Sequence, residues 1–301
     1  MNEARRNIVH KAWTLIQEDF KIKKLYFFPW LISIIFLTIL LVYQSVYTYV
    51  VLLHKKEAVL VVMLELFHSK YLIEILLAFW IFLILYFVLT PIFEWWLIYY
   101  LDKKNNWEDI SSSEIIWWWI YRFLPIFEYS NIFSEFKFIS VVNIYLFCLR
   151  FVWIEYIWKL NVLFIMLLFL SMIINILTSY CKFEIILNNK KALESVASSM
   201  KIVLFNLWTT VRIYFFLFVV NVRIIINFFV FLLFPVIIIS AVTYITSKVF
   251  LAITITILSL IFLSLILVLW YLWWVFEVFK TSVRYYAYLE WKKKIEKIKW
   301  E

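Results

Sequence analysis

Glycine is absent from all 301 residues, and proline occurs only four times. Tight hairpins lean on Gly, Asn or Asp at positive φ, so the turns of a transmembrane β-barrel are hard to build from this chain. Phosphate-cradling loops and dinucleotide fingerprints need glycine at fixed places, and both are excluded. So is the GxxxG packing motif, which leaves Ala, Ser, Thr and bulky interdigitating side chains for helix contacts. Cysteine is scarce too: Cys148 and Cys181 fall in predicted helices, carry no metal or redox spacing, and read as apolar burial.

Catalytic residue types are equally thin. The histidines, His10, His54 and His68, are far apart in sequence and sit in terminal or loop segments. Asp19, Asp102 and Asp109 are too sparse for a metal-dependent phosphotransfer site. There is no HExxH, no GxSxG and no serine with a plausible His/Asp partner. No catalytic residue, metal ligand or cofactor emerges, and the chain is expected not to be an enzyme.

What is present is apolar. Hydrophobic residues make up 66% of the chain, where a soluble domain is about half apolar. Uncharged apolar runs recur at Trp30–Leu53, Ile75–Phe93, Phe138–Leu149, Leu160–Tyr180, Ile224–Thr246 and Val249–Phe276. Most are long enough as helices to cross a hydrocarbon core of ~30 Å. A backbone in lipid must satisfy its own hydrogen bonds, which selects helices over open strands. The expected fold is all-α transmembrane: six membrane-spanning helices in a single polytopic domain, 1–301. The first run follows a long charged segment and lacks a small-residue cleavage site, so it is expected to act as a signal anchor. The wealth of Ile, Phe, Lys, Asn and Tyr is what AT-rich codons encode, and hints at an AT-rich bacterial genome.

The net charge of +9 is placed asymmetrically. With six spans, 22 of the 29 Lys and Arg residues fall in the termini and the even-numbered loops. Six fall on the other side (Lys55, Lys56, Lys70, Arg150, Lys159 and Lys248), and Arg223 is left at or inside the membrane. By the positive-inside rule, both termini face the cytoplasm of a cell (inner) membrane. Arg5, Arg6, Lys11, Lys190, Lys191, Lys292, Lys293 and Lys294 are the expected contacts to anionic headgroups of the inner leaflet. No recognition motif accompanies these dispersed cations, and nucleic acid is not an expected partner.

Amphipathic helices are expected before spans 1, 3 and 5. Ile8, Val9, Ala12, Trp13, Ile16 and Phe20 share one face opposite Arg6, Asn7, Lys11, Gln17 and Glu18. Leu193, Val196, Ala197, Met200, Val203, Leu204 and Leu207 form a stripe opposite Lys191, Glu194, Ser195, Ser198, Ser199 and Lys201. A more apolar segment surrounds Trp117, Trp118 and Trp119. Such segments lie in the headgroup plane or pack under the bundle. The pattern suggests three units of surface helix plus helix pair, 1–107, 108–190 and 191–301.

Ionisable groups near the membrane interior raise functional hypotheses. Glu94 follows Pro91 by one turn; it either lines a polar notch there or faces the inner interface beside Trp95 and Trp96. Arg223 lies ~15 Å deep if span five begins near Ile213, and snorkels to headgroups if the span begins at Ile224. With Asn221 and Asn227, these two form a candidate polar path. Glu74, Arg150, Glu155, Lys159 and Glu277 read as boundary residues, with Glu155 and Lys159 an i,i+4 pair.

Three stretches carry a resemblance. Lys11-Ala12-Trp13-Thr14-Leu15-Ile16, followed by Phe27-Phe28-Pro29-Trp30-Leu31-Ile32-Ser33, resembles the entry of a family of uncharacterised bacterial six-span integral membrane proteins. Ala192-Leu193-Glu194-Ser195, with Trp208 beyond it, is similar to that family's helix after span four. Ser282-Val283-Arg284-Tyr285-Tyr286-Ala287-Tyr288 is similar to its closing segment. The layout also resembles the membrane domain attached to some glycerophosphodiester phosphodiesterases. The family's glycines are missing here. The resemblance implies fold and membrane placement, and carries no activity.

Three functions remain in view. One is a non-catalytic membrane protein that organises or anchors lipid or a partner protein at the inner leaflet, alone or as a homo-oligomer. Another is a transporter or lipid-translocating permease using the polar path. The third is an accessory subunit of a larger membrane complex.

Overall fold

The computed structural model describes residues 2–24, 67–106, 123–130, 138–149, 154–232 and 248–298, with scattered positions at 27–39, 61–65, 132–136 and 151–152. Among them every regular element is helical. Three helices are long and apolar enough to cross a membrane, within Ile157–Asn188, Leu207–Asn227 and Thr256–Glu296, and Leu72–Leu85 is a shorter apolar helix. The chain divides into two compact units: Met1–Lys23 with Asn206–Ala287, and Lys24–Phe205 with Tyr288–Glu301.

The first unit begins with α1, Asn2–Glu18. Ile8, Ala12 and Ile16, one turn apart, are buried, while Arg6, Lys11, Gln17 and Glu18 are exposed. The i, i+4 spacing keeps one narrow stripe against the protein. Trp13, on the edge of that stripe, meets Phe279 edge-on with ring centroids 5.8 Å apart. α1 stops at Asp19, whose carboxylate accepts the Lys21 N–H at 2.9 Å. That is the bond an N-cap makes, and a new helical turn follows at 20–24.

α7, Leu207–Leu232, and α8, Lys248–Ile298, complete this unit. α7 buries Thr210, Ile213 and Leu217 and exposes Phe215, Phe218, Val219, Ile226 and Val230. α8 has 51 residues, ~76 Å at 1.5 Å per residue, more than twice a hydrocarbon core. Its two halves differ accordingly. Leu260, Leu263 and Leu267 are exposed, whereas Phe276, Val283, Tyr285 and Ala287 are buried.

The second unit holds the remaining helices: α2 (Leu72–Asn105), α3 (Phe138–Cys148), α4 (Ile157–Leu177), α5 (Cys181–Asn188) and α6 (Ala192–Phe205). The last turns of α8 belong here as well. α2 runs unbroken through Pro91, exposing Ile73, Trp80 and Ile84 and burying Trp95, Leu97, Ile98 and Leu101 further on. Lys103 and Lys104 occupy its last turn, where cations meet the negative end of the helix dipole.

α3 and α4 form an antiparallel hairpin joined through a 3₁₀ turn, Ile154–Tyr156. Near its tip the Tyr145 hydroxyl and Asn161 Oδ1 are 2.6 Å apart, and Tyr145 stacks on Phe164 at 4.2 Å. Toward the other end, the Phe136 carbonyl accepts from Asn175 Nδ2 at 2.5 Å and from Ser171 Oγ. Phe136 sits in a turn between helical residues 123–130 and α3, so its carbonyl has no place in a helical ladder. Backbone in apolar surroundings needs such a partner. α3 has 11 residues, ~16 Å, and does not by itself cross a ~30 Å core.

Of the six expected runs, most of 30–53 lies outside the described residues, and 224–246 is described only as far as 232. The tryptophan triplet 117–119 also lies outside them.

Candidate functional site

The densest polar cluster is in the second unit, where α5 meets the end of α8. A three-residue turn, 178–180, separates α4 from α5. Thr178 Oγ1 donates to the Ile174 carbonyl at 2.8 Å as α4 closes. From that turn, Tyr180, Glu184 and Asn188 are spaced four apart and share one face of the helix. Tyr288, Trp291 and Lys292 have matching spacing on α8. The two faces are joined by hydrogen bonds.

Glu184 is at the centre and is 2% exposed. One carboxylate oxygen accepts the Tyr288 hydroxyl at 2.9 Å, and the other lies 2.6 Å from Lys190 Nζ. Asn188 Nδ2 donates to the Tyr288 oxygen at 2.7 Å, and its Oδ1 accepts from Lys292 Nζ at 2.7 Å. Trp291 Nε1 donates to the Tyr180 hydroxyl at 3.2 Å. Phe183, itself buried, stacks on Tyr288 at 5.4 Å. A buried carboxylate is tolerated only when paired and hydrogen-bonded, and Glu184 is both.

The turn that returns Lys190 to Glu184 depends on Asn189. It ends α5 in the left-handed region, at φ 56°. Glycine is the usual residue there; asparagine is the next best tolerated. Lys190 Nζ also reaches Ser198 Oγ at 2.6 Å on α6. Further along α6, Ser199 Oγ accepts the Tyr180 N–H at 3.1 Å and donates to the Leu177 carbonyl at 2.7 Å. Ser199 thus satisfies two backbone groups left over where α4 gives way to α5. Cys181 is buried beside this turn and is not in a disulfide.

The residues singled out in the sequence fall into separate settings. Glu94 lies on α2 next to buried Trp95 and forms an ion pair with Lys182, both about a quarter exposed. Asn221, Arg223 and Asn227 lie on α7 in the other unit. Arg223 and Asn227, four apart, are exposed on one face, while Asn221 is half-buried on another. Lys190 and Lys292 are drawn into the Glu184 cluster, and Lys191, Lys293 and Lys294 are exposed around it. Lys294 Nζ lies 5.1 Å from the Trp291 ring centroid. On α1, Arg6 and Lys11 are exposed, and the side chain of Arg5 lies outside the described residues. So does that of Arg150. Lys159 Nζ rests over the Tyr156 ring at 4.9 Å, and Glu277 pairs with Lys280 at 2.5 Å.

Glu184, Tyr288, Trp291 and Ser199 were not singled out by sequence reasoning. A usable signal exists: Glu184 is flanked by Phe183, Ile185 and Ile186 in a segment otherwise marked by lysines. An acid set among apolar neighbours implies burial, and burial implies a partner. No family model, curated protein or solved structure matches this chain.

Proposed function

We propose that this chain is a six-span protein of a cell (inner) membrane, with both termini cytoplasmic, that organises or anchors anionic lipid or a partner protein at the inner leaflet without catalysis. One observation carries the reading: helices with exposed apolar lengths run into a packed end rich in lysine and tryptophan. On α4, Ile165, Met166 and Phe169 are all more than 60% exposed. Twelve to sixteen positions beyond Phe169, Cys181, Glu184 and Ile185 are buried. Large exposed apolar faces need lipid or protein cover, and the lysines at the packed end suit a negatively charged surface.

Native mass spectrometry in mild detergent tests this. The expected result is retained anionic lipid or a co-purifying protein, the latter also covering an accessory subunit of a larger complex. A lipid-free monomer would count against anchoring.

Transport or lipid translocation is the second reading. It is favoured by the interrupted helix at Phe136, whose carbonyl is held by Ser171 and Asn175. Interrupted helices are a recurring feature of transporter sites. Flux through reconstituted vesicles, lost on Arg223→Ala with the fold intact, is the expected outcome under that reading. Wild-type vesicles with no flux of any solute or lipid sink it.

A further inference from the structure

α6 has three sides. Ala192, Ser195, Ser199, Ile202 and Val203 are packed against the protein. Glu194 and Lys201, seven apart, form an exposed charged side. Leu193, Met200 and Leu204 form an exposed apolar side, with Leu193 at 73% and Leu204 at 59%. The serines, which sequence periodicity puts on the polar face, are the ones that pack. Of the expected apolar stripe, Leu193, Met200 and Leu204 are bare and Val203 is packed.

The direction of α6 is fixed by its bonds. Lys190, just before it, pairs with Glu184, and Ser199, halfway along it, is bonded to Tyr180 and Leu177. As residue numbers rise along this segment, those of its partners fall. α6 therefore runs back antiparallel beside α5 toward α4. Leu204 and Phe205 lie five and six residues beyond Ser199, ~8 Å further on at 1.5 Å per residue. That brings them level with the last exposed apolar residues of α4, Met172 and Ile173.

We infer that α6 enters the membrane steeply, with its C-terminal turn among the acyl chains beside α4 and its N-terminal turn, at Leu193, outside the hydrocarbon. This rests on the membrane reading above and replaces a flat surface helix with a descending one. The occupant is lipid because the exposed apolar side of α6 reaches the level of the exposed apolar residues of α4. The adjoining charged side carries one residue of each sign, so it selects no charged partner. α7, one of the three helices able to cross a membrane, begins two residues after α6 ends, with Asn206 between them.

Photocrosslinking in the full-length protein tests the inference. p-Benzoylphenylalanine replaces Leu193, Met200, Leu204 or, as a reference on α4, Phe169, all exposed positions where the fold should tolerate it. The protein is reconstituted in nanodiscs of mixed phosphatidylcholine and phosphatidylglycerol, and adducts are read by mass spectrometry. Lipid adducts at Leu204 matching those at Phe169, falling several-fold through Met200 to Leu193, are expected. Equal adducts at Leu193 and Leu204 would overturn the descent in favour of a flat helix. Crosslinks from Leu204 to a second copy, or none to lipid while Phe169 reacts, overturn lipid as the occupant and leave the membrane reading standing. If Phe169 also fails to capture lipid, both fall together.

Discussion

The two halves of the stretch from Trp158 to Ser199 solve opposite problems with similar residues. From Trp158 to Ile173 the side chains are apolar and mostly exposed, and the helix satisfies its own backbone. From Ile176 to Ser199 comparable apolar residues are buried, and polar groups are held between them. The exposed half has few partners within the protein, chiefly Asn161, Phe164 and Ser171 against the α3 side of the hairpin. The packed half depends on them, because Glu184 and the backbone groups at the 178–180 turn are out of reach of water. Stability that originates in the chain itself should therefore be concentrated in the packed half.

The sharpest way to break this contrast is to truncate one aromatic in each half. Trp291→Ala removes a fully buried side chain and the donor to Tyr180, and should cost about 3–5 kcal/mol. Unfolding in mixed detergent micelles measures it, and a loss below about 1 kcal/mol would remove Trp291 from the core. Tyr288→Phe keeps the ring but deletes the hydroxyl between Glu184 and Asn188. A hydrogen bond to a charged group predicts a loss of about 1.5–3 kcal/mol by the same assay. Asn189→Val puts a β-branched residue at φ 56° and should cost about 1–2 kcal/mol. Asn189→Gly should be neutral or better, and a matched loss for both variants would refute the backbone explanation. Phe169→Ala, in the exposed half, should change stability by no more than about 0.5 kcal/mol. A loss as large as that of Trp291→Ala would erase the distinction between the halves.

Much of this was legible in the sequence. The apolar runs Ile75–Phe93, Leu160–Tyr180 and Val249–Phe276 fall wholly or largely in the helices Leu72–Asn105, Ile157–Leu177 and Lys248–Ile298, because run length is a property that survives any packing. Of the apolar face expected on α1, Ile8, Ala12 and Ile16 are buried, Val9 is half-buried, and Trp13 and Phe20 are exposed. Periodicity misleads on α6. It separates leucine from serine correctly but does not say which faces the protein, and in a membrane protein an apolar face has two places to go. The packed face takes the small Ser195 and Ser199, which allow close approach in a chain without glycine.

The cluster around Glu184 was the least legible part. Its members come from 180–199 and 288–292, and local pattern carries no information about which distant segments meet. Lys190 and Lys292 read in the sequence as contacts to anionic headgroups, and in the structure both bond to groups within the protein. Glu94 pairs with a lysine 88 positions away for the same reason. Charge counting assigns such lysines to a side of the membrane without seeing what they touch.

The gap of 104 residues between Glu184 and Tyr288 also sets an order in time. At ribosomal rates of about 5–20 residues per second, Tyr288 is made roughly 5–20 s after Glu184. For that interval the carboxylate has Lys190 as the cluster partner already synthesised, and the Asn188 side chain waits for Lys292. A chain that stops before Tyr288 thus leaves the acid, the amide and the Tyr180 hydroxyl without these partners, at a seam that the 288–292 segment closes. Closure of that seam is therefore a late step, open to the chain only once the segment 288–292 has been made.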